Sequence, residues 1–573
     1  MQTSIETLNS LEAEIVEFDL KALLNTLSTQ MHDITYSLVK REDDGNREIA
    51  TTAPWIAFIA IAISQKNYTG CLLSENKGYI KNWAQQLNIL FDSLSDNEKL
   101  HVNIIQDFIK LPEKAIAEKL ISNGAWELKI LPYLATTSHF RNKNIETQSN
   151  YTTNAILPIV RDYKYVKAFL SSLNNQKQRD SFDNFLKRHL GTSNINSIAV
   201  NLQRISSILY NTQGQVYKKD LLDKLKDEKS IPSWSKDSDD PRQADILAQV
   251  EALLDFLSLE ATQISSKYEE MKEKLSQNKT LLINENPFWQ TPLARCIFDE
   301  GEIVYICPSI SILKVRLETI FIRIIDEWIK SIEDAKVKKE FESLRGPICE
   351  EYILERLQYS KTLIKELANL DKQDEAEKYI DTANSQEYNQ ISRADCIFKT
   401  EKFIVILECK NSLGIWRPFY EDSTQYFSSL ERMLHALIQC NETSEKLKDK
   451  RNKKVFSLVS ANENIWIEGA IVALILHEAQ ASKEERSNLN FNLGDFSFIS
   501  IPMFNYLLST NSIDRFIDDC IKKANSQKSG VELAIEAINC CVKDRDLNEV
   551  DLNYFVGEFN KIISADNENT SHS

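Results

Sequence analysis

Glycine and proline are scarce, at 13 and 12 of 573 residues. So few turn-formers exclude a Gly/Pro-rich low-complexity chain and point to one rich in helix. The ten cysteines are scattered without a C-x-x-C pair, and the seven histidines add no zinc-ligand spacing. A zinc module is therefore not expected, and a reducing cytoplasm is the simplest setting for such thiols. Cys349, Cys396 and Cys409 stand within apolar segments and read as small core residues. Long apolar runs are also missing. The most apolar stretch, APWIAFIAIAIS at 53–64, falls short of the ~20 residues a membrane span needs. It reads as a buried helix, and no membrane partner is expected. The N-terminus, MQTSIETLNSLEAEIVEFDL, is acidic and lacks the apolar core of a signal peptide. A cationic excess is absent too: the net charge is −16. That argues against a protein that coats nucleic acid over its whole surface, although local binding depends on where the charges lie.

What is present describes a folded protein of several domains. Hydrophobic residues make up 42 % of the chain, with 8 Trp, enough for more than one core at ~150 residues per domain. Residues 1–230 show apolar positions at three and four spacing, as in LEAEIVEFDLKALLNTL, and predict a large, mainly α-helical region. Residues 231–283 read as a polar linker and then one long helix over 244–277. Its stripe is Ile246, Val250, Leu253, Leu254, Leu257 and Ile264. That stripe suits packing against its own chain, or against a second copy. Residues 284–530 alternate strand and helix patterns: a hairpin in PLARCIFDEGEIVYICPSI, helices from 313 and 346, strands at 455–459 and 496–501, and a buried helix at 465–479. Residues 531–573 read as a helical segment and a disordered tail.

One stretch specifies chemistry: SRADCIFKTEKFIVILECKNS. Phe403 to Lys410 is apolar and β-branched, which favours a buried strand. Alternation puts Glu408 and Lys410 on one face with Ile404 and Ile406, and Phe403, Val405, Leu407 and Cys409 on the other. Residues 395–398 read as a second strand, and Lys399-Thr400-Glu401-Lys402 as a polar turn. The hairpin so formed brings Asp395 level with Glu408. A Glu and a Lys at the end of an apolar strand are costly without partners. Asp395, Glu408 and the Cys409 carbonyl offer the oxygen donors that Mg²⁺ prefers. Lys410 beside them can orient water and stabilise charge on a phosphate. The E-x-K tripeptide alone is also what the exposed end of any strand can carry.

These residues resemble the PD-(D/E)xK nuclease superfamily, which has the restriction-endonuclease-like fold. The match is Asp395 followed by Glu408-Cys409-Lys410, with Ala394 where the family name has Pro. The resemblance implies an α/β nuclease domain with a mixed central sheet flanked by helices. It implies that Asp395 and Glu408 bind Mg²⁺ or Mn²⁺ and that Lys410 assists the attacking water. The family often carries an acid on the preceding helix. RGPICEEYIL fits a helix start at Gly346-Pro347, with Glu350 on the face of Ile353, Leu354 and Leu357 and Glu351 as the fallback. Several branches place a Gln on the helix after the hairpin, and Gln425 matches it without the later Tyr. Both Glu350 and Gln425 also fit a solvated surface.

Lys446, Lys448, Lys450, Arg451, Lys453 and Lys454 form a basic run broken by one acid, Asp449. It suits contact with phosphates as well as it suits a solvated loop. The expectation is a metal-dependent nuclease acting on nucleic acid, DNA before RNA, in the manner of bacterial defence against phage. The helical half would recognise a substrate, a partner or a trigger, and a second copy of the chain or a regulatory protein is the expected protein partner. The competing expectation is a catalytically silent scaffold or nucleic-acid-binding protein of the same fold.

Overall fold

The computed structural model describes residues 4–24, 26–27, 47–64, 79–87, 163, 166–167, 169–171, 173, 176–227, 242–276, 286–289, 291–298, 301–317, 320–336, 338–339, 353, 357, 394–410, 435–445, 454–461, 496–500, 504, 507–508, 513–524, 557 and 559–565. The chain divides into two compact units. One is Met1–Asn97, Asn150–Glu333 and Phe555–Ser573; the other is Glu98–Ser149 and Asp334–Tyr554.

The first unit is built from helices α1 (Ser4–Ile15), α2 (Arg47–Ser64), α3 (Gln176–Leu190), α4 (Ile195–Asn211), α5 (Leu221–Asp227), α6 (Arg242–Phe256), α7 (Ala261–Ser276), α8 (Ile310–Leu317) and α9 (Ile320–Ser331). It also holds four short strands: β1 (Gln215–Tyr217), β2 (Ser258–Glu260), β3 (Leu293–Ile297) and β4 (Ile303–Ile306). They form a sheet in the order β1-β4-β3-β2. One sheet face, Ala294, Cys296, Val304 and Ile306, joins a core with α1, α2 and α7. The apolar stretch in α2 is buried there as the sequence predicts, from Ala53 to Ala62. Among the described residues no helix is long and apolar enough to cross a membrane. The six described cysteines are buried free thiols.

Two sequence expectations change here. The predicted single helix over 244–277 is two helices, α6 and α7, with β2 between them. The Ser258 hydroxyl donates to the Leu254 carbonyl (2.6 Å), capping the end of α6, and β2 then pairs in parallel with β3. The apolar stripe is still buried, at Val250, Leu253, Leu254, Leu257 and Ile264. The second change concerns the hairpin β3–β4, which the sequence assigned to the 284–530 domain. It pairs with β1 and β2 and so completes the sheet of the first unit. The region before residue 230 is thereby not purely helical, since it supplies β1.

The second unit carries a separate mixed sheet, β5 (Cys396–Lys399), β6 (Phe403–Lys410), β7 (Lys454–Ala461) and β8 (Phe496–Ser500), in chain order. β5 and β6 are antiparallel, whereas β6–β7 and β7–β8 are parallel. The hairpin, its polar turn at 400–402 and the two later strands match the sequence reading. The turn is closed by Thr400, whose amide donates to the Phe403 carbonyl (2.9 Å), and by the Phe403 amide donating to Thr400 Oγ1 (3.0 Å). One sheet face is apolar: Cys396, Phe398, Phe403, Val405, Leu407, Cys409, Phe456 and Leu458 form a core with Ile353, Leu357 and helix α11 (Ile513–Ala524). Over the other face lies helix α10 (residues 435–445), whose Ala436, Leu437 and Cys440 are fully buried. The Cys440 thiol is hydrogen-bonded with Ser457 of β7. The expected helix at 465–479 and the C-terminal tail lie outside the described residues.

Leu407 sits at the centre of the apolar face with no exposure. Its replacement, Leu407→Ala, removes buried methyl groups and leaves a cavity, which costs about 2–5 kcal/mol. Urea unfolding should show that loss of stability.

Candidate active site at the end of β6

The site follows from strand register. Cys396 pairs with Leu407, so the next residues outward, Asp395 and Glu408, stand opposite one another. Directly opposed residues of an antiparallel pair share a face. Two crossed hydrogen bonds fix the arrangement. The Asp395 amide donates to Glu408 Oε2 (3.2 Å), and the Cys409 amide donates to Asp395 Oδ2 (2.6 Å). Each carboxylate is thus held by backbone beside the other.

Glu408 has no solvent exposure, and Lys410, two residues on and on the same face, forms an ion pair with it. The Lys410 side chain is 23 % exposed, so its ammonium links the buried acid to the surface. Lys410 Nζ also donates to Gln439 Oε1 of α10 (2.9 Å). A second tie from α10 to the hairpin runs from the Ala394 amide to Thr443 Oγ1 (3.0 Å). Gln439 in turn is 2.9 Å from His435 Nδ1. The result is a polar chain from a fully buried carboxylate to an exposed imidazole.

Electrostatics in this site follow from burial. Desolvation raises Asp395 above the ordinary carboxylate range, against the hydrogen bonds of Cys409 and Glu408 and the charge of Lys410. Burial opposes the charge on Lys410, but the attraction and hydrogen bond of Glu408, joined by Asp395, outweigh it and hold the ammonium above its ordinary range. The Cys440 thiol beneath them is pushed well above its usual value by burial and by the two carboxylates. It is a neutral neighbour, not a nucleophile.

The donor chemistry fits a hard divalent cation: two carboxylates from facing strands, on one face, at a strand end. Among the described residues no group of three or more His, Cys, Asp or Glu could hold a metal ion. Further oxygens would come from backbone such as the Cys409 carbonyl, from water or from a substrate.

Of the residues singled out in the sequence, the structure brings together Asp395, Glu408, Cys409 and Lys410. Glu350 and Glu351 lie outside the described residues. Their helical neighbours Ile353 and Leu357 pack on the apolar face of the sheet, opposite to Glu408. Gln425 and the residues from Lys446 to Lys453 also lie outside the described residues. Lys454 opens β7 opposite Phe403, so it stands at the far end of the sheet, roughly 16 Å along the strands from Glu408. It therefore does not border the carboxylates. The residues missed by sequence are His435, Gln439 and Thr443. Their signal was a set of polar residues at i, i+4 and i+8, which one helix face carries together.

No family model matches the chain, and no curated protein or solved structure does.

Asp395 provides a test of the electrostatics. A carboxyl raised by burial makes the folded state bind more protons than the unfolded one. Stability is then lost as pH rises from the unfolded pKa through the folded one. Asparagine keeps an acceptor for the Cys409 amide and has no charge to desolvate. With divalent cations chelated, Asp395→Asn should therefore melt higher than the native protein at about pH 7. That gain should vanish at about pH 3, where Asp395 is protonated in both states. Equal melting temperatures at both pH values would contradict a desolvated Asp395.

Proposed function

We propose that the second unit is a metal-dependent phosphodiesterase, a nuclease of PD-(D/E)xK type, acting on DNA before RNA. The observation that carries this reading is the juxtaposition of Asp395, Glu408 and Lys410 at one end of β6, locked by the crossed backbone hydrogen bonds. It is supported by a mixed sheet with an antiparallel hairpin leading into parallel strands, and by helices against both faces. The finer assignments, restriction-endonuclease-like fold and a role in defence, rest on the same resemblance.

Asp395 and Glu408 would hold Mg²⁺ or Mn²⁺, with the Cys409 carbonyl as a further donor. The chemistry such a cation supplies when bound is Lewis acidity: it polarises a phosphodiester and makes water a competent nucleophile near neutral pH. The protein does the rest. Glu408 is buried, so its oxygens have little bulk water to lose when a ligand takes them. Lys410 keeps its proton, because the two acids hold its pKa up. It therefore serves as a fixed positive donor to water and to phosphate oxygen, not as a base. Gln439 restrains the ammonium at the site's edge, so that a cation taking Glu408 leaves Lys410 anchored rather than loose.

The silent-scaffold alternative has to explain why an Asp, a Glu and a Lys stand in a largely buried position, where apolar residues of the same volume are often as stable or more so. The decisive experiment is incubation of the protein with linear, circular and single-stranded DNA and with RNA, plus Mg²⁺ or Mn²⁺. Cleavage is expected to stop on chelation. Lys410→Ala should lower the rate by about 10²–10³-fold, as loss of one preorganised charge donor does, and Asp395→Ala at least as much. Cleavage that survives both substitutions would remove this site from consideration.

A further inference from the structure

Asp395 lies one residue before β5, whose ladder with β6 begins at Cys396. Its place depends on bonds made at the open end of the hairpin. Two of these run through the carboxylates themselves: the Asp395 amide donates to Glu408 Oε2, and the Cys409 amide donates to Asp395 Oδ2. Those are the oxygens a divalent cation would use. A lone pair given to a cation is no longer there for an amide. A site held in that way alone would loosen as it filled.

The tie from α10 has no such conflict. The Ala394 amide, next to Asp395 in the chain, donates to Thr443 Oγ1 (3.0 Å). Thr443 is buried, and its own hydroxyl hydrogen is committed: it donates to the Gln439 carbonyl one turn back (2.8 Å). A threonine hydroxyl has one donor and two acceptor lone pairs, and a bond to the i−4 carbonyl selects its rotamer. With the hydrogen turned to the helix, a lone pair of Oγ1 is left for the Ala394 amide. Neither bond uses an oxygen of Asp395 or Glu408. The same turn of α10 carries Gln439, which accepts from Lys410 Nζ. One helical turn therefore meets both the start of β5 and the end of β6.

We propose that Thr443 is a positioning residue for Asp395 as a metal ligand. It fixes the backbone at Ala394 independently of the carboxylates, so Asp395 keeps its place opposite Glu408 when their oxygens are given to a divalent cation. Thr443 itself touches neither the cation nor the substrate. Its contribution is to cation affinity, whereas the charge offered to a phosphate is that of Lys410. This inference rests on the nuclease reading of the same site.

Mn²⁺ alone, titrated calorimetrically into the metal-free whole chain without nucleic acid, provides the test. Thr443→Val keeps the shape of the side chain and removes the hydroxyl. It should weaken Mn²⁺ binding about 10–100-fold, as loss of a group that orients a ligand does. Thr443→Ser returns the hydroxyl and should bind Mn²⁺ as the native protein does. A mere loss of fold would lower the number of sites and not their affinity. In cleavage, Thr443→Val should need at least about tenfold more Mn²⁺ for half its maximal rate, with that maximal rate close to native. A second measurement needs no substitution: in the native protein the Ala394 amide should stay protected from hydrogen exchange when Mg²⁺ is added. Native Mn²⁺ affinity in Thr443→Val, or loss of the Ala394 protection on adding Mg²⁺, would overturn the positioning role. Cleavage by the native protein would leave the nuclease reading intact in either case. If the native protein binds no Mn²⁺ and cleaves nothing, both readings fall together.

Discussion

A glutamate with no solvent exposure, Glu408, is the constraint on which the second unit depends. An isolated buried carboxylate costs several kcal/mol, and the structure tolerates one only where charge and hydrogen bonds converge on it. Here Lys410 supplies the charge and the Asp395 amide supplies the hydrogen bond. Both are properties of register. If β5 slipped by one residue along β6, Asp395 would move to the opposite face and its amide would no longer meet Glu408. Folding the hairpin correctly and assembling the site are therefore one event. The apolar residues between Cys396 and Leu407 drive it, and the crossed pair at the end confirms it.

The same constraint explains why the site is balanced on the edge of instability. Asp395 is raised by desolvation, so the protein resists its charge. Lys410 is held charged, but mainly by one neighbour. A cation arriving at Asp395 and Glu408 would relieve the first and compete with the second. Gln439 then matters, because it holds the ammonium independently of Glu408. Groups poised in this way, with partners only partly matched to their charges, are typical of sites that complete themselves by binding something. A purely structural ion pair has no need of the third and fourth members, Asp395 and Gln439.

The sequence was legible where the physics is local. Alternation over Phe403–Lys410 assigned every residue to its face, and the polar turn at 400–402 set the level of Asp395 against Glu408. Cys396 and Cys409, core residues by the apolar segments around them, are buried. It was less legible where pairing is distant. The break between α6 and α7 depends on β2 finding β3, more than thirty residues later, and a continuous apolar stripe conceals it. The hairpin β3–β4 reads identically whichever sheet it joins; only its bonds to β1 and β2 assign it. Gln425 matches only the resemblance, which has a Gln on the helix after the hairpin. Gln439 is placed by geometry: helix α10 lies over the face of Glu408 with Gln439 and Thr443 bonded to the strand end. The pattern was visible, but which face of that helix met the sheet was not.

The position of the site within the sheet also has a physical reason. β6, β7 and β8 run parallel, so Lys410, Ala461 and Ser500 end on the same edge. At that edge three strands release the chain at once, and ligand sites in sheets with parallel strands form outside the carboxyl ends. Backbone groups there are no longer consumed by the ladder, and side chains such as Lys410 can lean out of the core while their stems stay in it. The opposite edge, where Lys454 begins β7 beside Phe403, is closed by the hairpin turn. Lys402 is tied there to α11 through Asp514 and Asp518. Charge at that edge is spent on holding the fold. At the carboxyl edge the polar side chains Glu408, Lys410, Gln439 and His435 form instead a continuous line from the core to solvent.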